Sequence, residues 1–404
     1  MELHDLALYG GRKTREAPLP PRRLFGEAEL AMVKAVFEES WAEGVDFGFQ
    51  GTYEDEYCRK FSELQGGGFA DAVSSGTAAV YLALRSLGPE PGDEVVVSPV
   101  TDPGSVAPAL LLGLTPVVAD ARPGGYNVGP AEFEASLTEH TTAAVLTHSG
   151  GVPLDLDPIL EIARSRGVAL VEDCSQAHGA TYRGRKVGTF GDVAAFSTMF
   201  SKAHATGGCG GVVYTRDEER YWLLRSLADR GKPFRADDFN PKDPRSFLWP
   251  TLNFNQNELA CAIGISTLGR LERIVEQRRT LAAKLSEGLR ACVAVAPAPS
   301  LPAHSEGSPF FYTAEVDTGK LTVPKEEFAR AVAAEGVWIN PNYTYVVSEW
   351  PWLRRYVGSV ADTPNAAAYR ARTFNILFHE RFGDEEIEDI VSAVRKVESV
   401  YCRT

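Results

Sequence analysis

From Phe69 to Thr215, short β-branched runs alternate with stretches of helical period. The runs are PGDEVVVSP (91–99, a turn and a strand), TPVVAD (115–120), AAVLTH (143–148), VALVED (168–173), VAAFS (193–197) and GVVYT (211–215). Helical patterns fall at 74–88, 130–137 and 155–166. Strands spaced by helices pair mostly in parallel, with helices covering both faces of the sheet. The chain therefore reads as α/β, with a mostly parallel central sheet sandwiched by helices. Ligands of such sheets bind beyond the carboxyl ends of the strands. Asp120, His148 and Asp173 each stand at such an end.

Helices are also expected at about 27–40 and 54–64, near 325–335 and at 384–400, and a long one from about Asn257 to Cys292. That long helix is read as a bridge between two domains. The expected division is an N-terminal arm over 1–25, a large domain over 26–275 and a smaller α+β domain over 276–404, with a Pro-rich joint at 296–303. A chain of 404 residues has room for one large and one smaller domain.

Composition narrows the function classes. The chain is 44% hydrophobic and 24% charged, with a formal net charge of −13. An acidic surface argues against a general nucleic-acid partner. No run reaches the roughly 18 apolar residues of a membrane span, and the N-terminus carries acids early, so neither a span nor a signal peptide is expected. Six scattered cysteines without a CxxC pair argue against disulfides and a metal site, and for a reducing, cytoplasmic compartment.

The densest chemistry lies between Leu170 and Gly211, which contains VEDCSQAHGA, FSTMFSK and TGGCGG. Asp173 closes an apolar strand, Ser197 closes another, and Lys202 sits in a small-residue turn before a glycine run. A lone strand-end aspartate is by default a cap or turn carboxylate, and a lone loop lysine a surface charge. Together they supply what pyridoxal phosphate needs: an amine for its aldehyde, an anion for its ring nitrogen, and hydroxyls for its phosphate. An amine held near the cofactor's cationic ring has a lowered pKa, which favours imine formation near neutral pH. Ser75-Gly76-Thr77 opens a helix, so it is either a plain N-cap or a phosphate cradle. His148 and His178 are read as lining the site rather than as core histidines. Phe247-Leu248-Trp249 reads as packing or interface.

The segments SSGTAAVYLAL, PGDEVVVSP, TPVVADARPGGYNVGP, VEDCSQAHGATYRGRKVGTFGDVAAFSTMFSK and GGCGG closely resemble the DegT/DnrJ/EryC1/StrS aminotransferases, strongly over about 20–290. The resemblance implies a fold type I pyridoxal phosphate enzyme. In that family's pattern Lys202 would form the Schiff base and shuttle the proton, and Asp173 would pair with the ring nitrogen. Gln176 would lie by the ring face or its hydroxyl, and Gly76, Thr77 and Ser197 would bind phosphate. Asn253 would reach the phosphate of a neighbouring subunit, which implies a homodimer with shared active sites. Asp102 occupies the position where the family carries an aromatic residue stacked on the ring, so a carboxylate near the ring could meet an amino or hydroxyl group of the substrate. Asn255 and Gln256 also depart from the pattern. NPNYTYVVSEWPWL stands where a Tyr…Pro-Leu-His segment is usual.

The expected activity is transfer of an amino group from glutamate or glutamine to a keto-sugar, cyclitol or related polyhydroxylated carbonyl compound, in secondary-metabolite or glycan biosynthesis. Lysine rather than histidine at 202 counts against the family's dehydratase branch. The alternatives are a pyridoxal phosphate lyase, epimerase or oxidative enzyme on an unusual substrate, motivated by Asp102, and a non-catalytic cofactor-binding regulator.

Overall fold

The computed structural model of the chain describes residues 1–236, 239–240, 242–297 and 300–403. Two helices, α1 (Glu27–Glu43) and α2 (Thr52–Leu64), precede strand β1 (Phe69–Val73). Then follow α3 (Gly76–Ser86), β2 (Glu94–Val97), α4 (Pro103–Leu111), β3 (Thr115–Val118), α5 (Pro130–Ser136), β4 (Thr141–Thr147), α6 (Leu156–Arg166) and β5 (Ala169–Asp173). The short β6 (Thr181–Tyr182) and β7 (Arg185–Lys186) lead into β8 (Val193–Ser197), β9 (Gly211–Thr215) and three helices, α7 (Glu218–Ala228), α8 (Glu258–Leu268) and α9 (Leu271–Leu289). The rest holds β10 (Val295–Ala296), β11 (Ser305–Glu306), β12 (Tyr312–Val316), α10 (Lys325–Ala334), β13 (Ile339–Asn340), α11 (Pro351–Val357), α12 (Pro364–Ala371), β14 (Thr373–Ile376) and α13 (Asp384–Tyr401).

Seven strands form the central sheet in the order β1-β9-β8-β5-β4-β2-β3. The pairs β2–β3, β2–β4, β4–β5 and β5–β8 are parallel. Only β9 runs against its neighbours, β8 and β1. Both faces are buried, and the two-residue period of a strand divides the side chains between them. Val95, Val97, Val145 and Val171 join one core with α3 and α4, while Val96, Ala144, Leu146 and Leu170 join another with α6. A third cluster lies under α2 and α8 around Tyr57, Phe61 and Phe196.

A separate core forms from α9, β12, α10, β14 and α13, and Leu6 and Leu19 of the N-terminal arm are buried in it. Arg15 anchors the arm through Glu385, Glu386 and Asp389. Four strands pair there in the order β10-β12-β14-β13.

The single helix expected over 257–292 is two helices, α8 and α9, interrupted at Gly269 and Arg270. Glycine is a poor helix former, and the break lets each segment follow its own surface. Thr267 at the end of α8 donates to the Ala205 carbonyl at 2.7 Å. α9 touches both halves: Leu271, Ile274 and Val275 pack under the large sheet, and Leu281, Leu285 and Leu289 in the second core. Of the Pro-rich joint, Ala298 and Pro299 lie outside the described residues. Among the described residues, no helix is long and apolar enough to cross a membrane.

Candidate active site

The β1–α3 turn builds the anion end of the site. Ser75 caps α3, its hydroxyl accepting from Ala78 N at 3.1 Å. The N–H groups of Gly76 and Thr77 precede the first intrahelical bond, from Ala79 N to Ser75 O, so they remain available to an anion at the positive end of the helix. A Cβ on Gly76 would stand 2.5 Å from the Ser197 Cβ. Glycine is thus what lets the helix start lie against the end of β8. Ser197 N donates to the Ser175 hydroxyl at 3.0 Å, and the Ser197 side chain stays half-exposed beside the cradle.

Asp173 is buried at the end of β5. One carboxylate oxygen accepts from the Ser105 hydroxyl at 2.5 Å and the Thr147 hydroxyl at 3.3 Å, the other from Ser175 N at 3.0 Å. Ser105 lies on α4 and is linked to Thr147 through Thr101. These donors, which sequence reasoning missed, orient the carboxylate along the strand end. The Asp-Pro-Gly start of α4 was a readable helix signal that would have drawn attention to Ser105.

Lys202 lies in the β8–β9 loop, which closes on itself through Thr198 N to Gly210 O at 2.8 Å, Thr206 N to Thr198 O at 2.9 Å and Lys202 N to Met199 O at 3.0 Å. Its amine stands over the Phe310 ring, 4.6 Å from the centroid. Burial lowers the Lys202 pKa, and the charges of Asp173 and Asp102 oppose that shift. Gln176 accepts from Gly150 N at 2.7 Å and lies by the Tyr343 hydroxyl. Phe310 and Tyr343 come from the distant C-terminal part of the chain; Tyr343 lies in the NPNYTYVVSEWPWL segment that departs from the family pattern, and no local sequence signal marks Phe310.

Asp102 is the N-cap of α4, with its carboxylate turned to Gly104 N at 2.9 Å. The segment after Tyr343 is stitched beside it, Thr101 N donating to Tyr345 O at 3.2 Å and Val347 N to Pro99 O at 2.8 Å. Asn253 is exposed, and its side-chain oxygen accepts from Asn255 N and Nδ2 at 3.1 and 2.8 Å. It makes no hydrogen bond to the other candidate residues.

Two expectations change, at His148 and Asp120, while His178 stays within reach of the Lys202 charge. His148 is fully buried in the core, its Nε2 3.2 Å from Glu172 and its Nδ1 accepting from Leu154 N at 3.0 Å. His148, Glu172 and Cys174 are close enough to suggest a metal cluster. The Glu172 carboxylate, however, is taken up by the N–H groups of Gly188, Phe190 and Gly191. Burial pushes the Glu172 pKa up, but the His148 bond and these donors hold it below its ordinary value. Asp120 accepts from Asn365 N and Ala366 N at the start of α12, which makes it a cap between elements. His178 is buried against Phe196 and His204, with Nε2 unpartnered. Burial, then the neighbouring His204, Lys202 and Arg278, hold it far below its ordinary pKa, so it is neutral. In the Phe247-Leu248-Trp249 segment, Trp249 packs on the core while Leu248 is exposed.

The chemistry of this set fits pyridoxal phosphate. The buried Asp173 carboxylate lies near enough to the Lys202 amine to act on its charge, and the anion cradle is one that a Cβ at position 76 would fill. Comparison with known proteins agrees. The profile of the DegT/DnrJ/EryC1/StrS aminotransferase family matches residues 25–395. The spore coat polysaccharide biosynthesis protein SpsC of Bacillus subtilis (strain 168) is 30% identical, over 93% of this chain and 95% of its own length. The L-glutamine:2-deoxy-scyllo-inosose aminotransferase of Micromonospora echinospora is 32% identical over 97% of both chains. The crystal structure of the aminotransferase TlmJ from Streptoalloteichus hindustanus superposes with a TM-score of 0.82 at 29% identity, over 93% of this chain and 97% of that one. This chain belongs to the DegT/DnrJ/EryC1/StrS aminotransferase family and is a pyridoxal phosphate-dependent aminotransferase.

Proposed function

We propose that the enzyme takes the amino group of glutamine or glutamate and delivers it to the carbonyl of a keto-sugar or cyclitol. The observation that carries this reading is a buried, three-donor Asp173 that acts on the Lys202 amine through space, beside the Gly76–Ser197 cradle. The names of the relatives supply the substrate class.

Pyridoxal phosphate, when bound, supplies the aldehyde that takes up the amino group and a ring that stores an electron pair. The protein's residues would do the rest. The N–H groups of Gly76 and Thr77 and the Ser197 hydroxyl bind the phosphate. Asp173 would hold a proton at the ring nitrogen, its carboxylate fixed by its own three donors. Gln176, fixed by Gly150, positions the ring. Lys202 Nζ takes a proton from the substrate carbon and returns it, and its lowered pKa suits it to act as a base. Asp102, already a helix cap, keeps one oxygen for a hydroxyl or amino group of the acceptor.

The same reading places the chain in a homodimer with shared active sites. Trp41 and Leu252 are 74% and 60% exposed, and Phe37 packs on Trp41 and Phe47. Asn253, the residue proposed to reach across, follows the exposed Leu252 directly in the chain. The division into arm (1–25), large domain (26–275) and small domain (276–404) is supported by the separate cores that α9 joins. Six free thiols favour a reducing, cytoplasmic setting.

The test is the visible spectrum of the purified protein with L-glutamine or L-glutamate, followed by turnover with keto-sugars and inososes. The expected result is a yellow band that is lost on adding the donor, with stoichiometric 2-oxo acid. Lys202→Ala should abolish both band and turnover. Ammonia release or oxygen uptake in place of 2-oxo acid would overturn the amino-transfer reading, and a turnover-competent Lys202→Ala the lysine assignment.

A further inference from the structure

We propose that Phe310 is a positioning residue for the reacting amine: its ring face holds the ε-ammonium of Lys202 inside the site whenever that amine is free. The inference rests on the aminotransferase reading only for the importance of Lys202.

Among the described residues, Lys202 Nζ makes no hydrogen bond and no ion pair. Its one direct partner is the Phe310 ring, 4.6 Å from the centroid. That lies within the roughly 6 Å over which a ring face attracts a cation, and the attraction grows as water is removed. Asp173 and Asp102 act on the amine at longer range, and the nearby His178 is a neutral imidazole. The ring therefore decides where a four-carbon side chain with free rotors comes to rest.

Phe310 is itself held by backbone. Phe310 N donates to Gly150 O at 3.1 Å and Ser308 N to Gly151 O at 2.8 Å. Gly151 has φ +81°, and a Cβ there would lie 1.7 Å from the Ser308 carbonyl oxygen, so this approach requires glycine. Gly150 N in turn donates to Gln176 at 2.7 Å. Gln176, Gly150, Phe310 and Lys202 thus form one connected chain from the end of the large sheet to the small domain and back. The amine is parked correctly only when the two halves are docked.

A ring face favours the charged amine, so removing it should lower the Lys202 pKa further. The test uses the full-length chain freed of cofactor. Lysines are labelled competitively with acetic anhydride across a pH series and read by mass spectrometry, with the exposed Lys34 as internal standard. Phe310→Leu should shift the Lys202 midpoint to lower pH and label about three- to tenfold faster below it. Phe310→Tyr, which keeps the ring, should restore the original profile. An unshifted midpoint in Phe310→Leu overturns the proposal, as does a faster plateau at high pH without a shift, which reports only opened access. A Phe310→Tyr profile matching that of Phe310→Leu overturns it as well. Because no cofactor or substrate is present, failure here leaves the amino-transfer reading standing, and failure of that reading leaves this measurement valid.

Discussion

Two adjacent carboxylates close β5, and the strand's two-residue period sends them to opposite faces. Asp173 points to the face shared with α3 and α4, where it meets Ser105 and Thr147. Glu172 points to the other face, where three N–H groups and His148 consume it. Exchanging each for its amide should separate the roles. Asp173→Asn should keep the fold and lose turnover by roughly 100-fold or more, because an amide cannot hold a proton at the ring nitrogen. Glu172→Gln should cost about 3 kcal/mol in a urea melt, because it puts an NH2 among buried donors. Equal loss of turnover in two well-folded proteins would contradict the division. VEDC in the sequence pointed to an acid at a strand end, and Asp173 was legible there. That His148 belongs to Glu172 and not to the site was not legible, because both histidine and glutamate also stand at strand ends, and only the packing of the 188–191 turn against the sheet decides it.

At the scale of elements, most segments were legible from period alone, and the exceptions have physical causes. The α8–α9 break was missed because the apolar positions continue across it, while Gly269 and Arg270 absorb a change of direction. Gly269 has φ −60° and ψ −14°, and an added Cβ would meet nothing closer than 3.6 Å. Gly269→Ala should therefore stabilise the protein by about 0.5–1 kcal/mol through the unfolded chain, measurable by urea denaturation. A destabilised variant would mean that the break needs glycine's freedom. At the junction of α2, β1 and α7, Glu54 and Asp71 are buried near Arg225. Burial, then Asp71, pushes Glu54 from its ordinary 4.5 up to about 8, and burial raises Asp71 to about 6. The folded protein thus binds protons that the unfolded chain releases. Stability from Glu54 is full below about pH 4.5 and declines as pH rises through about 8. Thermal melts from about pH 5 to about pH 9 should show that decline, and Glu54→Gln, a mimic of the protonated form, should flatten it. An unchanged slope would show that Glu54 is ionised throughout.

At the scale of the whole molecule, the proposed homodimer makes a direct prediction. Light scattering should give twice the chain mass, and Trp41→Glu with Leu252→Asp should shift it toward the monomer and reduce turnover with it. A fully active monomer would refute shared sites. The sequence by itself determined the class of fold, every strand of the central sheet except β1, and a lysine, an aspartate and a glycine placed at or just beyond strand ends. Periodicity and residue chemistry are local properties, readable one segment at a time, and the long run of motifs carried the family resemblance. Only the tertiary structure decided the strand order with its antiparallel β9, the burial of the N-terminal arm in the C-terminal core, the hydroxyls that hold Asp173, and the ring that meets Lys202. Those contacts join residues far apart in the chain. They exist because separate apolar faces must be buried together, and no local pattern encodes which faces will meet.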